Sequence, residues 1–413
     1  MSSPVTVTGD GAVGGGRPGR GSATLRDPTS WPSLADWDRP PHNRWSFQNM
    51  SRLFPTAVVS RGTGPVCALP RRERDLGRIA VLRWDGGTGT VDEILAETFT
   101  DGFLVLHRGA VVLERYFNGM TPETRHLAQS VSKSVVGCLA GILAGRGLVD
   151  LDAPVEHYVP ELAEGGYAGA KLRHVLDMRS GVRFGEDYTD PTAEYIYLDM
   201  AAGWKERTRK GAPPSIRELL LWVERDRPHG GDIQYRSIET DVIAWVCEAA
   251  TGKPLHDLVS EEIWRPLGAE RDAYYTVDGR GTSLADGGFN ATLRDYARFG
   301  QMCLDLGRFN GHRIVPEDWI RRSRHGDTRA FLTHHGIQRD WYPDPTYSRQ
   351  WWVLDNAAGV HCARGVFGQL IHIDPRHDLV AVKLSTWPEF LNAGFAVNTY
   401  RAVSAIAGHL AAA

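Results

Sequence analysis

The run from His126 to Gly145, reading His-Leu-Ala-Gln-Ser-Val-Ser-Lys-Ser-Val-Val-Gly-Cys-Leu-Ala-Gly-Ile-Leu-Ala-Gly, constrains this chain more than any other stretch. Apolar residues at 131, 135, 138, 139 and 142 recur at helical spacing, and Val136, Ala140 and Leu143 leave few polar positions after the first turn. Such a helix belongs in a core. Ser130 and Lys133 share one face at its amino-terminal end, where unpaired N–H groups and the helix dipole favour developing negative charge. Only six of the 47 basic residues are lysines (133, 171, 205, 210, 253 and 383). Arginine keeps its proton, whereas a lysine in a dry site can lose it and act as a base. Ser130 begins the single Ser-x-x-Lys match in the sequence. The competing reading, a helix cap beside a solvated lysine, fits the apolar surroundings less well.

With 413 residues, 42% of them hydrophobic, the chain can bury a large core and divide into two lobes. A net charge of −3 argues against nucleic acid as a partner, and the cluster Arg321-Arg322-Ser323-Arg324 reads as a solvated helix end. Residues 1–28 form a Gly-, Ser- and Thr-rich tail without an apolar run suited to export or membrane insertion, which predicts a cytoplasmic protein. Five scattered cysteines (67, 138, 247, 303 and 362) read as free thiols, with 138, 247 and 303 inside apolar helical patterns. Gly9-Asp10-Gly11-Ala12-Val13-Gly14 has dinucleotide-loop spacing but no strand before it or helix after it. His334-His335 and the other histidines show no metal-ligand spacing, so no metal site is assigned.

Trp31 to Phe47 reads as an extended arm wrapping the surface. Gly102–His107 and Ala110–Phe117 predict a hairpin that leads into the Ser130 helix. Shorter helical patterns follow, at Leu172, Val175 and Leu176, then at Ile238, Val242, Ile243, Val246 and Ala249. A helix with Thr292 or Asn290 near its start spans Leu293 to Cys303 despite Gly300. Arg349–Leu354, Val366–Ile373 and Leu379–Ser385 read as strands, and an amphipathic helix around Val397–Ala407 ends the chain. Strands on both sides of a helical segment predict a discontinuous α/β domain (29–150 and 276–413) interrupted by a mainly helical one at 151–275.

A serine needs a partner to take its proton, and no Gly-x-Ser-x-Gly elbow is present, which disfavours the ordinary α/β-hydrolase arrangement. Lys133, if neutral, is the candidate base, and Tyr235, in Gln234-Tyr235-Arg236-Ser237 ahead of a helix, is a candidate second proton carrier.

Taken with Pro40-Pro41-His42-Asn43-Arg44-Trp45, Tyr158-Val159-Pro160-Glu161-Leu162, Glu186-Asp187-Tyr188, Ala202-Gly203-Trp204, Arg349-Gln350-Trp351-Trp352 and Val382-Lys383-Leu384-Ser385, these residues resemble the 6-aminohexanoate-dimer hydrolases. That family is similar to class C β-lactamases, penicillin-binding proteins and related esterases. The resemblance spans about residues 38 to 390. It implies a β-lactamase/transpeptidase-like fold, an antiparallel sheet flanked by helices plus a helical lobe, with the active site between lobes. It also implies acyl-enzyme chemistry on a small amide or ester without metal or organic cofactor, and leaves monomer and homodimer both open.

Carried over residue by residue, the resemblance makes Ser130 the nucleophile, Lys133 its base and Tyr235 the proton relay. The backbone N–H groups of Ser130 and Val366 become the oxyanion donors. Tyr188 closes over the scissile amide, and Asp199 meets the substrate's amine. Two positions depart from the pattern. Asp286 stands where a neutral amide or imidazole is expected, adding a charge beside the substrate. Phe367 stands where histidine is expected, and the Lys-Thr-Gly triad of β-lactamases is missing. The leading expectation is an amidase for short linear ω-aminoalkanoate amides such as the 6-aminohexanoate dimer. A short-chain carboxylesterase with the same machinery is the alternative, ahead of a β-lactamase, a peptidase or a non-catalytic binding protein on the same fold.

Overall fold

The computed structural model describes residues 31–188, 190–330 and 344–412; the 1–28 tail and His334-His335 lie outside them. The predicted hairpin is present as β1 (Thr100–His107) and β2 (Ala110–Tyr116). Five strands from the carboxyl-terminal third join it: β3 (Thr346–Ser348), β4 (Trp351–Asp355), β5 (Val360–Gly365), β6 (Gln369–Asp374) and β7 (Leu379–Ser385). They make one antiparallel sheet in the order β3-β4-β5-β6-β7-β1-β2, with Val382 of β7 opposite Leu104 of β1.

Side-chain alternation gives this sheet two apolar faces. Leu104, Leu106, Val380 and Val382 join one core, while Phe103, Val105, Leu379 and Ala381 join another. Four long helices organise around these cores: α1 (Ser132–Gly145), α2 (Ile238–Thr251), α3 (Leu293–Leu304) and α4 (Ala393–Ala412). Helix α3 lies on the first face, capped by Thr292, whose hydroxyl accepts from the Asp295 N–H at 3.2 Å. Its Gly300 permits that packing, because a Cβ there would lie 2.6 Å from Val380. Helix α4 covers the second face through Ala402, Val403, Ile406 and Ala407. All five cysteines are free, four of them buried.

A smaller antiparallel sheet of Thr56–Val59, Ala273–Thr276, Phe289–Thr292 and Arg125–Leu127 delivers the chain to Ser130. Helix α1 then runs through the interior, with every residue from Ser132 to Leu143 buried. Among the described residues, no helix is long and apolar enough to cross a membrane.

Three expectations change. The Trp31–Phe47 arm is not extended: it coils through turns into a short helix, Asn43–Ser46. It also penetrates the core, where Trp37 and Phe47 are 2% and 0% exposed and the Trp37 indole N–H donates to the Trp204 carbonyl at 2.9 Å. Aromatic area drives that, since burying one such ring outweighs the cost of bending the segment inward. The strand predicted from Arg349 begins at Trp351, because Arg349 and Gln350 turn through positive φ (47° and 69°). There Gln350 ties α1 and α2 together, accepting from the Ser134 and Thr240 hydroxyls. The strand predicted from Val366 begins at Gln369, since 366–368 is a tight turn after β5, a strand the pattern did not reveal.

Replacing Trp37 by Ala removes a ring packed against Phe47, Phe54 and Trp204. The expected cost is about 3–5 kcal/mol, read as a lowered thermal midpoint with the far-UV spectrum retained at low temperature.

Candidate active site

Ser130 sits in a single 3-10 turn, Gln129–Val131, at the head of α1. Gln129 adopts φ 50°, a left-handed conformation that a non-glycine residue holds only when its surroundings enforce it. Here Ser132 enforces it. Its hydroxyl donates to the Gln129 carbonyl at 2.6 Å and accepts from the Phe289 N–H at 3.1 Å. The Ser130 hydroxyl is thereby turned into a cleft while α1 continues into the core.

Lys133 is 1% exposed, and its Nζ donates to Ser130 Oγ at 2.8 Å. The same nitrogen donates to the Asp286 carbonyl at 2.9 Å and faces Asp286 Oδ2 at 3.3 Å. Tyr235 is hydrogen-bonded to both Ser130 and Lys133. Its ring stacks on Trp352, with centroids 5.0 Å apart, and meets Tyr347 edge-on at 5.8 Å. Ser130, Lys133 and Tyr235 thus meet around one hydroxyl.

The protonation of this cluster differs from the neutral lysine expected above. Burial lowers the pKa of Lys133, but the negative charges available at Tyr235, Asp286 and Glu186 reverse that effect and hold its proton above the ordinary lysine range. Burial raises Tyr235, against the pull of Lys133. Tyr235 contributes most to that upward push and Asp286, whose Oδ2 lies 3.3 Å from the lysine nitrogen, comes next. Behind it Asp241, accepting from the Ala285 N–H at 2.9 Å, is raised by burial and by Asp286.

Asp199, Asp286, Ser130, Tyr188 and Val366 line one chamber of about 520 Å³, so the structure brings the sequence-predicted site residues together. Trp37, Asp38, Glu186, Trp204 and Phe390 join them, residues to which sequence reasoning assigned no site role, although Glu186 and Trp204 stand in motifs of the family resemblance, because only tertiary packing collects them. The Asp199 carboxyl is pushed up to about 8, first by burial and then by Asp38, with Lys205 opposing; Asp38 itself is paired to Lys205 at 2.6 Å. Tyr188 donates to Glu186 at 2.5 Å and stacks on Phe390, and Glu186 also accepts from the Ser237 hydroxyl at 2.6 Å. Phe367, in place of the expected histidine, packs on Phe47 and Phe390 as an apolar wall.

A second chamber of about 320 Å³ also borders Ser130 and is lined by Tyr188, Tyr235, Trp352, Arg364 and Val366. Val366 and Ser130 border both chambers. Gly365 sets their approach, since a Cβ there would lie 2.5 Å from the Ala128 carbonyl.

The profile of the beta-lactamase family matches residues 90–405. A 6-aminohexanoate-dimer hydrolase of Paenarthrobacter ureafaciens is 39% identical over 385 residues, covering 91% of this chain and 95% of that protein. A solved structure from Bacillus anthracis, provisionally assigned as a 6-aminohexanoate-dimer hydrolase, superposes with a TM-score of 0.83 at 30% identity, covering 91% and 96% of the two chains. For fold alone, a hydrolase with promiscuous acyltransferase activity, EstCE1, superposes with a TM-score of 0.59 at 18% identity, covering 76% of this chain and 99% of that one.

Removing the Asp286 charge should release the Lys133 proton more easily. Ser130 labelling by a phosphonylating probe needs the neutral amine, so its rate should rise with pH. In Asp286→Asn that rise should move to lower pH by about one to two pH units. An unmoved profile would show that Asp286 does not govern the lysine.

Proposed function

The chain belongs to the beta-lactamase family of serine hydrolases and, within it, to the 6-aminohexanoate-dimer hydrolases, and from that premise we propose that it cleaves short linear ω-aminoalkanoate amides through an acyl-enzyme on Ser130. The observation that carries this reading is the Ser130–Lys133–Tyr235 hydrogen-bonded set opening onto a chamber that contains Asp199.

Lys133 first passes a proton to the Asp286 carboxylate, 3.3 Å away, and then takes the one on Ser130 as the hydroxyl oxygen attacks the amide carbon. The N–H groups of Ser130 and Val366 receive the developing oxyanion, an interaction worth about 3 kcal/mol per donor in comparable sites. Tyr235, bonded to serine and lysine alike, passes a proton to the departing nitrogen. That transfer is what an amide requires, because an unprotonated amine leaves poorly. Water then cleaves the acyl ester and the hydroxyl is restored. Tyr188 closes over the scissile amide from the chamber wall, and Asp199 meets the ammonium of the acyl part.

Incubation with 6-aminohexanoate linear dimer should release free 6-aminohexanoate, and Ser130→Ala should release none; turnover persisting in that variant would reject the acyl-enzyme. Asp199 adds a pH signature. Its carboxyl is protonated below about 8 and anionic above it, while an alkylammonium keeps its charge to about pH 10. KM for the dimer should therefore fall as pH rises through 8, and Asp199→Asn should flatten that dependence.

Carboxylester cleavage is the second reading, because the same machinery serves a better leaving group with less proton donation. Tyr188→Phe separates the two. An amide-adapted site loses dimer hydrolysis by about tenfold or more and keeps most butyrate-ester hydrolysis, whereas equal losses would favour the esterase.

A further inference from the structure

Gln369, 2% exposed, opens β6 directly after the 366–368 turn. Its side-chain nitrogen donates to the Ser385 carbonyl at 2.6 Å and reaches the Phe367 and Val366 carbonyls at 3.3 and 3.4 Å. Its side-chain oxygen accepts from the Ser385 N–H at 3.1 Å. A backbone N–H can only donate, so that last bond fixes which end of the amide is oxygen and leaves both of its N–H bonds for carbonyls. One goes to Ser385, and the other is shared by the two carbonyls of the turn.

The turn needs such a hold. Phe367 and Gly368 both adopt positive φ, 61° and 89°, and phenylalanine keeps that conformation only where its surroundings enforce it. The segment after β7 supplies part of the enforcement: the Phe367 N–H donates to the Phe390 carbonyl at 2.9 Å, and the Phe367 carbonyl accepts from the Trp387 N–H at 3.3 Å. Upstream, Gly365 faces Gln369 on the last rung between β5 and β6. Val366 sits between that rung and the strained pair, and the Gln369 amide reaches its carbonyl. The far end of the clamp is itself fixed, because the Ser385 hydroxyl accepts from Lys383 Nζ, which is buried and also donates to the Thr98 carbonyl at 3.1 Å.

We propose that Gln369 is a positioning residue for acyl transfer: its amide ties the 366–368 turn to the end of β7 and so aims the Val366 N–H at the oxygen of the carbonyl under attack. The proposal rests on the acyl-enzyme reading above, in which Val366 is an oxyanion donor. Such a donor stabilises the transition state because it is aimed before the charge develops. A turn free to rock would still admit substrate, so losing the clamp falls on turnover and spares binding.

The test is stopped-flow infrared spectroscopy of the full-length enzyme with carbonyl-labelled p-nitrophenyl butyrate, beside steady-state turnover of the linear dimer. In the parent enzyme the acyl-ester carbonyl band should lie below that of a free ester, because the oxyanion donors polarise it. In Gln369→Met, which keeps the side chain's length and loses the amide, the band should move to higher wavenumber. Dimer kcat should fall about tenfold to a hundredfold, and KM should stay within about threefold of the parent. Gln369→Glu, which keeps the acceptor for the Ser385 N–H but turns a second oxygen toward the carbonyls, should do the same. A band that stays in place in both variants, or failure of both to fold by far-UV circular dichroism, overturns the positioning role while the acyl-enzyme stands. Absence of any acyl band in the parent overturns the acyl-enzyme reading and this proposal with it. An acyl band without dimer cleavage overturns the amidase reading alone, and the band shift still decides the role of Gln369.

Discussion

A lysine ammonium almost wholly out of water is the feature on which the rest of this architecture depends. Moving such an ion into the interior costs several kcal/mol unless its protons are met. Here they are met by the Ser130 hydroxyl and by the carbonyl and carboxylate of Asp286. Ser130 and Asp286 come from different parts of the chain and Tyr235, bonded to Ser130 and Lys133, from a third, so the site can form only where the start of α1, the 285–286 turn and the approach to α2 converge. The same convergence explains why the helix carrying Lys133 is apolar almost throughout. A solvated helix would let the lysine escape to water and leave the serine without its neighbour.

Around this ion the larger chamber gathers carboxylates and the smaller one holds a guanidinium. Asp38, Glu186, Asp199 and Asp286 line the larger chamber, and Arg364 lines the smaller one together with Tyr235. Several carboxylates in one enclosed space cannot all ionise cheaply, and the structure divides them by partner. Asp38 takes Lys205, Asp286 takes Lys133, Glu186 is held by Ser237 and Tyr188, and Asp199 is left with its proton at neutral pH. Under the proposed amidase function, an incoming ammonium would draw that proton away, coupling its binding to ionisation of Asp199.

Much of this was legible in the sequence, for identifiable reasons. The α1 helix, the hairpin before it, β7 and the carboxyl-terminal helix announce themselves by periodicity, because each buries a regular face. Ser130 and Lys133 were legible because a helical spacing of three is local. Tyr235 stood out only weakly, by its place ahead of α2, and gained weight from the family resemblance, while Asp199 was legible through that resemblance alone. What stayed hidden depends on tertiary contact. The arm from Trp31 looked like a surface wrapping because its prolines mask aromatic anchors. The turn at 366–368 looked like strand because Val366 and Phe367 are apolar, although Phe367 adopts φ 61°. No local pattern could show that Tyr235 and Asp286 would both reach Lys133.

That last point bears on how the site works. A neutral lysine would be ready to accept the serine proton at once, but would hold Ser130 only through a weaker, uncharged hydrogen bond. A charged lysine orders Ser130 and Tyr235 firmly and must be discharged before catalysis. The order of events is then set by electrostatics. A cationic substrate entering the acidic chamber adds positive charge facing Lys133, which weakens the hold of that lysine on its proton. Binding of the amine on the acyl side and activation of the base on the serine side are thereby linked through one field, without movement of the backbone. A substrate lacking the ammonium would occupy the same chamber and leave the lysine charged. Under the proposed amidase function, discrimination between aminoalkanoates and plain acyl chains would arise as much in how the nucleophile is switched on as in how tightly the tail is held.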